Sequence, residues 1–316
     1  MRPISGRPHE DARDSMSLPP VPSDRGGAAM IWLDTLVQGI LLGGLYALFA
    51  AGLSLVFGIM RLVNLAHGDL IVFAAYLVLM GVTVLGLSPL MAALAAAPIM
   101  FALGWLLQSA VLNRVLGKDI LPPLLVTFGL SIALQNGLLE AFSADSRRIP
   151  AGALEGASLD LGFVTVGIMP LQTFASAVMV IIALNALFYH TPLGRAFRAT
   201  SDDAVTAGLM GIEPKRIFAV ATGLAMVVVT IAALYLGMRA NFDPSIGPAR
   251  LLYAFEAVII GGLGSFWGTL AGGIIIGVAQ TVGAAVNPEW QILAGHIAFL
   301  IVLLVKPRGL FPRAAD

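Results

Sequence analysis

Seven stretches of this chain, near 36–59, 70–87, 89–112, 121–141, 166–189, 217–238 and 290–305, are apolar with few or no charges. A helix crossing the hydrocarbon core of a bilayer needs about 20 such residues. Its backbone N–H and C=O groups must be satisfied internally, because the surroundings offer no partners. An eighth stretch, 253–286, is longer and interrupted by "GGLGSFWG". It fits either one span preceded by a re-entrant half-helix or two short spans. The fold class is therefore all-α: a polytopic transmembrane bundle of about eight spans with re-entrant or broken helices.

Composition agrees. Of 316 residues, 58% are hydrophobic and 11% charged, where a soluble domain carries about a quarter charged. Lys plus Arg equals Asp plus Glu at 18 each, so no bulk charge points to nucleic acid. With no cysteine, disulfides, iron–sulfur clusters and thiol catalysis are excluded.

Residues 1–29 are rich in Pro, Arg, Asp and Ser and lack an apolar repeat, the composition of a disordered tail. No apolar h-region near the start suggests a cleaved signal. Met30 is a natural start for the first span, so the membrane domain is read as 30–311. Basic residues collect on the cytoplasmic side of membrane proteins. Arg61, then Arg114 and Lys118, then Arg195, Arg198, Lys215 and Arg216 follow alternate spans, which places the 190–216 loop inside and residue 30 outside. Arg147 and Arg148 in an opposite loop are an exception, diluted by Asp145, Glu155 and Asp160. Lys306, Arg308 and Arg313 place the C-terminus inside, which needs an odd number of crossings and conflicts with eight.

Three segments stand out. In "MRLVNLAHGDLIVFAAYL", residues 60–77, Asn64, His67 and Asp69 cluster where one apolar segment ends and the next begins. Polar groups at membrane depth face protein or water and mark candidate pathways, and Asn64 suits the cap of a half-helix aimed into one. The plainer reading is a solvated surface turn. In the 190–216 loop, Ser201 or Asp202 is placed to cap a short helix through Asp203, Ala204, Ala207 and Leu209, closed by Gly211 before Glu213 and Pro214. Such a helix between spans suits docking on a soluble subunit, although an ordinary basic loop is commoner. In 253–280, Gly264, Gly268 and Gly272 recur every four residues and Gly273 and Gly277 repeat the spacing, a pattern that lets helices approach closely. Glu256 lies in an apolar run, where a charge is costly unless paired or wet. Glu140 ends a span and reaches outward, while Gln280 and His296 read as interhelical hydrogen-bonders.

Several signals are missing. No G-x-x-x-x-G-K-[ST] loop is present, so the chain does not hydrolyse ATP by that means. No H-E-x-x-H or comparable metal spacing occurs, and no arginine series suggests a voltage sensor.

On these segments the chain resembles the permeases of branched-chain amino-acid ABC importers of the LivH type, from about residue 35 to 311. The resemblance rests on "GLYALFAAGLSLVFGIMRLVNLAHGDLIVFAAYL", "DDAVTAGLMGIEPKRIFAV", "EAVIIGGLGSFWGTLAGGIIIGVAQ" and "KPRGLF", with the NLAHG core the most specific. It implies a bacterial inner-membrane protein that pairs with a second homologous permease, two cytoplasmic ATP-binding subunits and a periplasmic solute-binding protein, with no cofactor on this chain. The ATPase-coupling loop then falls at 195–216. Asp202, Asp203, Ala204 and Gly208 stand in the acid–alanine–glycine pattern, and Asp203 replaces an alanine of the general importer consensus. Arg195, Arg198, Gly211, Glu213, Lys215 and Arg216 frame it. In this scheme Asn64, His67 and Asp69 line or gate the pathway and the glycine rows let helices slide. The rival is a stand-alone secondary transporter or channel that uses Glu256, Asp69 or Glu140 as an ion site. An intramembrane enzyme ranks last, for want of a nucleophile–base or metal constellation.

Overall fold

A computed structural model of the chain describes residues 25–311 apart from Lys118, Ile120, Leu161 and Phe163. The segment read as a polar tail lies outside the described residues up to residue 24, as does Arg313. The helices are α1 (Arg25–Met60), α2 (His67–Thr83), α3 (Pro89–Leu107), α4 (Asn113–Val115), α5 (Leu121–Phe142), α6 (Ile168–His190), α7 (Pro192–Asp202), α8 (Ala204–Leu209), α9 (Pro214–Arg239), α10 (Gly247–Gly261), α11 (Phe266–Val286) and α12 (Gln291–Val305). A π-helical turn at Gln108–Leu112 joins α3 to α4. A small antiparallel hairpin, β1 (Ser158–Asp160) with β2 (Thr165–Gly167), precedes α6.

Among the described residues, seven helical segments are long and apolar enough to cross a membrane, and α2 is a shorter apolar helix. Their directions follow from who touches whom. Gly58 meets Gly264 at one end of α1, and Gly43 meets Gly273 further along, so α1 and α11 are antiparallel. The Ser201 hydroxyl donates to the Gly58 carbonyl at 2.8 Å, which puts the C-terminal end of α1 on the face of the 190–216 loop. Asn113 Nδ2 donates to the Lys215 carbonyl at 3.1 Å, so α3 and α4 end on that face, where α9 begins.

The interrupted 253–286 stretch resolves into α10 and α11, which run in opposite senses. Phe242 pairs with Arg147 beside the far end of α9, and Gly262 touches Gly309 at the loop face. The irregular 240–246 segment and α10 therefore make one more pass. With α2 and its lead-in counted likewise, the path crosses nine times among the described residues. That odd number puts residues 30 and 306 on opposite faces, and the parity conflict left by the charges disappears.

The core is built on α1 and α9, whose apolar windows are mostly enclosed, with α5 and α12 at the periphery. Leu48, Phe49, Ala50 and Ala51 of α1 are fully buried. The two glycine rows face different neighbours. Gly268 and Gly272 lie on Gly261 and Ala257 of α10, whereas Gly273 and Gly277 lie on Gly43 and Gly39 of α1. A methyl at Gly277 would stand 2.5 Å from the Gly43 nitrogen, and one at Gly273 would stand 2.6 Å from the Gly43 oxygen. Backbone meets backbone here, an interlocked contact with no clearance for the expected sliding. Gly264 is not on the helix at all; it sits in the turn before α11 with φ +81°.

Replacing Gly277 by Leu is expected to cost more than the ~1–3 kcal/mol of ordinary overpacking, because the obstruction is backbone. Gly129→Leu, at a position with nothing within 4 Å, should leave stability unchanged. Thermal unfolding of the detergent-purified variants compares the two.

Candidate functional site

The 190–216 loop folds into two short helices. Thr191 caps α7 by accepting from the Gly194 amide at 3.0 Å, with Pro192 in the first turn. Gly194 packs directly on the Leu187 and Phe188 carbonyls, a tight corner that no sequence signal announced. Gly194, Phe197 and Thr200 form the buried side of α7. Arg198 lies over the Phe188 and Tyr189 rings at 5.8 and 5.4 Å and donates to the Phe188 carbonyl. It is a structural cation and not a free loop charge. Arg195 and Asp202 are exposed.

The cap of α8 is Asp203, neither Ser201 nor Asp202 as expected. Its Oδ1 accepts from the Val205 and Thr206 amides at 2.9 and 3.1 Å, and its Oδ2 accepts from the Thr206 hydroxyl at 2.5 Å. Ser201 is turned toward α1 and spent on Gly58. The helix closes as expected on Gly211, at φ +86°. Ala204 begins α8 half-buried, and Ala207 is its buried contact. Glu213 pairs with Arg216 at 2.7 Å in an exposed bridge, which contributes little. Lys215 is exposed and gives only its carbonyl, to Asn113. The outer side of α8 is apolar: Val205, Leu209 and Met210 are 76%, 84% and 79% exposed. Gly208 stands among them with open space at its Cβ position.

The second locus is buried. α1 ends at Arg61, a non-glycine residue at φ 53°, and the chain turns back into the bundle. His67 Nε2 reaches the Phe49 carbonyl at 2.9 Å. Phe49 lies eleven residues before Met60, so the 61–66 link climbs about 16 Å along α1. α2 thus starts deep inside. Asn64, His67 and Asp69 are all buried, which excludes the solvated surface turn for them; only Arg61 is exposed. Asn64 does not cap α2. Its Oδ1 accepts from the Ala66 amide at 3.0 Å and shapes the turn before the helix. Asp69 Oδ2 accepts from Ser131 at 2.5 Å, and Gln135 donates to Ser131 at 3.1 Å.

The N-terminal turns of α2 and α10 meet at this depth. Gly68 lies on the Gly247 carbonyl, and Gly247 lies on the Asp69 carboxylate. Two half-helices thus start from one junction and leave toward opposite faces, with an acid placed where both positive ends converge. An apolar cavity of 180 Å³ beside it is lined by Val63, Leu65, Pro248, Leu251, Leu252 and Phe255.

Glu256 is paired: His296 Nδ1 of α12 meets its Oε1 at 2.5 Å. Gln280 accepts from the Tyr46 hydroxyl at 2.5 Å, so both interhelical hydrogen-bonders are found in that role. Glu140 is exposed on the outer side of α5. Among the described residues no three His or acidic side chains gather as a metal-ion site would require.

Broken helices meeting inside an apolar bundle, with an exposed apolar helix on a loop beyond it, define a multi-pass membrane protein. The chain belongs to the family of branched-chain amino acid transport system permease components, whose family model matches residues 35–305. It is 30% identical over 295 residues to the high-affinity branched-chain amino acid transport system permease protein BraD of Pseudomonas aeruginosa, covering 89% of this chain and 96% of that one. It is 27% identical to LivH of Escherichia coli K12 over 299 residues, covering 90% and 96%. A solved structure, PsaBC from Streptococcus pneumoniae in complex with Fab, aligns at TM-score 0.47 and 15% identity over 87% of this chain and 92% of that one.

The Asp203 carboxyl is held below its usual range, chiefly by the Thr206 hydroxyl and then by the Thr206 and Val205 amides. A depressed acid stabilises its helix above its unfolded pKa, near 3.8, and loses that contribution as pH falls through the lower folded value. Protection factors of the Val205 and Thr206 amides, taken against the intrinsic exchange rate at each pH, should therefore hold at pH 5 and fall only below 3.8, whereas in Asp203→Ala they should be low at both.

Proposed function

We propose that the chain is one of two paired permeases of an ATP-driven importer in a bacterial inner membrane, moving branched-chain amino acids or closely related small amides. Residues 30–311 form the permease domain. Two ATPases on other chains supply the work, a periplasmic binding protein delivers solute, and this chain carries no cofactor. The observation that carries this reading is α8. Val205, Leu209 and Met210 expose an apolar surface in a segment that faces water, where such patches mark partner contacts. The same segment is tied to α1 through Ser201 and continues into α9. A push on α8 therefore reaches the two innermost helices, and the movement passes to an element with two arrangements.

Substrate identity is supported by the permease names BraD and LivH among relatives, and by the apolar cavity beside the α2–α10 junction, which suits a small aliphatic side chain. In this mechanism Asn64, His67 and Asp69 hold the junction instead of lining an open path, and a shift of α10 against α2 gates it. A secondary transporter would need Glu256, Asp69 or Glu140 as an ion site. His296 and Ser131 engage one oxygen each of Glu256 and Asp69 and leave Glu256 Oε2 and Asp69 Oδ1 without a partner, so the importer reading rests on α8 and not on these acids.

Co-purification tests the proposal. Wild-type protein should bring down ATP-binding subunits and a second permease, while Gly208→Arg should release the ATPases and retain the permease. Protein that purifies alone and still carries leucine into liposomes without ATP would refute it.

A further inference from the structure

A cavity of 470 Å³ opens between α3, α6 and α9, with Ser88, Ala151, Gln172, Met179, Tyr235 and Met238 in its wall. All three helices meet it with the ends opposite the 190–216 loop: α3 and α6 begin there and α9 finishes there. Along α6 the wall runs from Gln172 to Met179, a rise of about 10 Å. The void therefore stays within the outer leaflet, half of a hydrocarbon core about 30 Å thick. Leu90 and Met179 on its edge are 63% and 67% exposed, so it opens sideways, toward lipid.

The deep part of this slot offers little to a polar solute. The Ser176 and Tyr235 hydroxyls lie 2.6 Å apart and spend their hydrogen bond on each other. Ala175, Met179 and Leu234 complete the wall there with apolar surface. A hydrocarbon chain that enters gains the dispersion contacts that an empty slot forfeits.

Two opposite charges stand at the mouth, each bonded to the backbone of a lining residue. Arg148 Nε donates to the Met238 carbonyl at 3.3 Å, and the Ala151 amide donates to Glu155 Oε1 at 3.0 Å. Both charged residues are exposed. Among the described residues Arg148 has no carboxylate within 4.0 Å, and Glu155 has no cation. Arg147, the other basic residue of this loop, is paired with Asp145 at 3.4 Å. Arg148 is thus the cation that breaks the basic-inside pattern without an acid to offset it. A guanidinium holds phosphate by two parallel hydrogen bonds, and a carboxylate accepts from an ammonium. A hydrocarbon slot with one charge of each sign at its rim matches a phospholipid whose headgroup carries both.

We propose that this slot binds one phosphatidylethanolamine of the outer leaflet, with an acyl chain between α6 and α9, the phosphate on Arg148 and the primary ammonium on Glu155. The site does not depend on the importer reading, and its wall shares no residue with the α2–α10 junction.

Native mass spectrometry of the detergent-purified assembly tests this with phosphatidylethanolamine, phosphatidylglycerol and inorganic phosphate as probes. Wild-type protein should retain phosphatidylethanolamine about fivefold more than phosphatidylglycerol, the scale of one exposed ion pair, and should retain no phosphate. Glu155→Gln keeps an acceptor for the Ala151 amide and should erase that preference, while Arg148→Gln should weaken retention of both lipids. Ala175→Phe fills the slot from an exposed position and should lose both lipids with unchanged thermal unfolding. Equal retention of the two lipids by wild type overturns the headgroup assignment whatever the variants do. Retention untouched by Ala175→Phe overturns the cavity as the seat, and retention of phosphate alone makes Arg148 a site for a free anion and overturns the lipid.

Discussion

α11 touches both α1 and α10 by backbone, with no side chain between. Gly273 and Gly277 face α1, Gly268 and Gly272 face α10, and each position lacks room for a methyl group. Helices in lipid gain nothing from hiding apolar surface, since the tails are as apolar as leucine, so close van der Waals contact has to hold them. The spacing of α1, α10 and α11 then places everything else. Tyr46 on α1 meets Gln280 on α11 and lies at a tilt against Tyr253 on α10, ring centroids 4.9 Å apart. Glu256 on α10 reaches α12. A half-helix such as α10 is tolerable at membrane depth because its start is enclosed by protein.

Much of this was legible in the sequence. Hydrophobic length located the long helices, and the NLAHG, loop and glycine segments marked the three places where the structure departs from a plain bundle. What was not legible was depth. Asn64, His67 and Asp69 follow an apolar run directly, so linear reading left a surface turn and a buried pathway equally open. Only the turn-back at Arg61 and the His67–Phe49 contact carry them inward. The split of 253–286 was ambiguous for a related reason: "GGLGSFWG" marks a turn but does not say which side it lies on. The cap of α8 was missed by one residue, because Ser201, Asp202 and Asp203 are all good caps and tertiary contact with Gly58 claims the serine.

The same architecture explains why the parts that would move are not the parts that are packed. The glycine contacts are tight and leave no clearance, so α1 with α11 behaves as a rigid post. By contrast α8 projects from the bundle with open space around Gly208. The α2–α10 junction joins two short helices through Gly68, Gly247 and the Asp69 carboxylate. Motion entering at α8 is thus expected to appear at the junction, with the post between them unchanged.

The turn-back at 61–66 also bears on how the chain is made. Gly68 packs against Gly247, nearly 180 residues downstream in the sequence, and Asp69 is held by Gly247 as well as by Ser131 of α5. While the ribosome is still synthesising the middle helices, α2 has no floor, and a carboxylate sits at membrane depth without its enclosure. The first third of the protein must therefore wait, inserted but unsettled, until the last third arrives. A chain cut short before α10 would present the membrane's quality-control proteases with an acid in the wrong place, a chemical mark of incompleteness written into the first turn of α2.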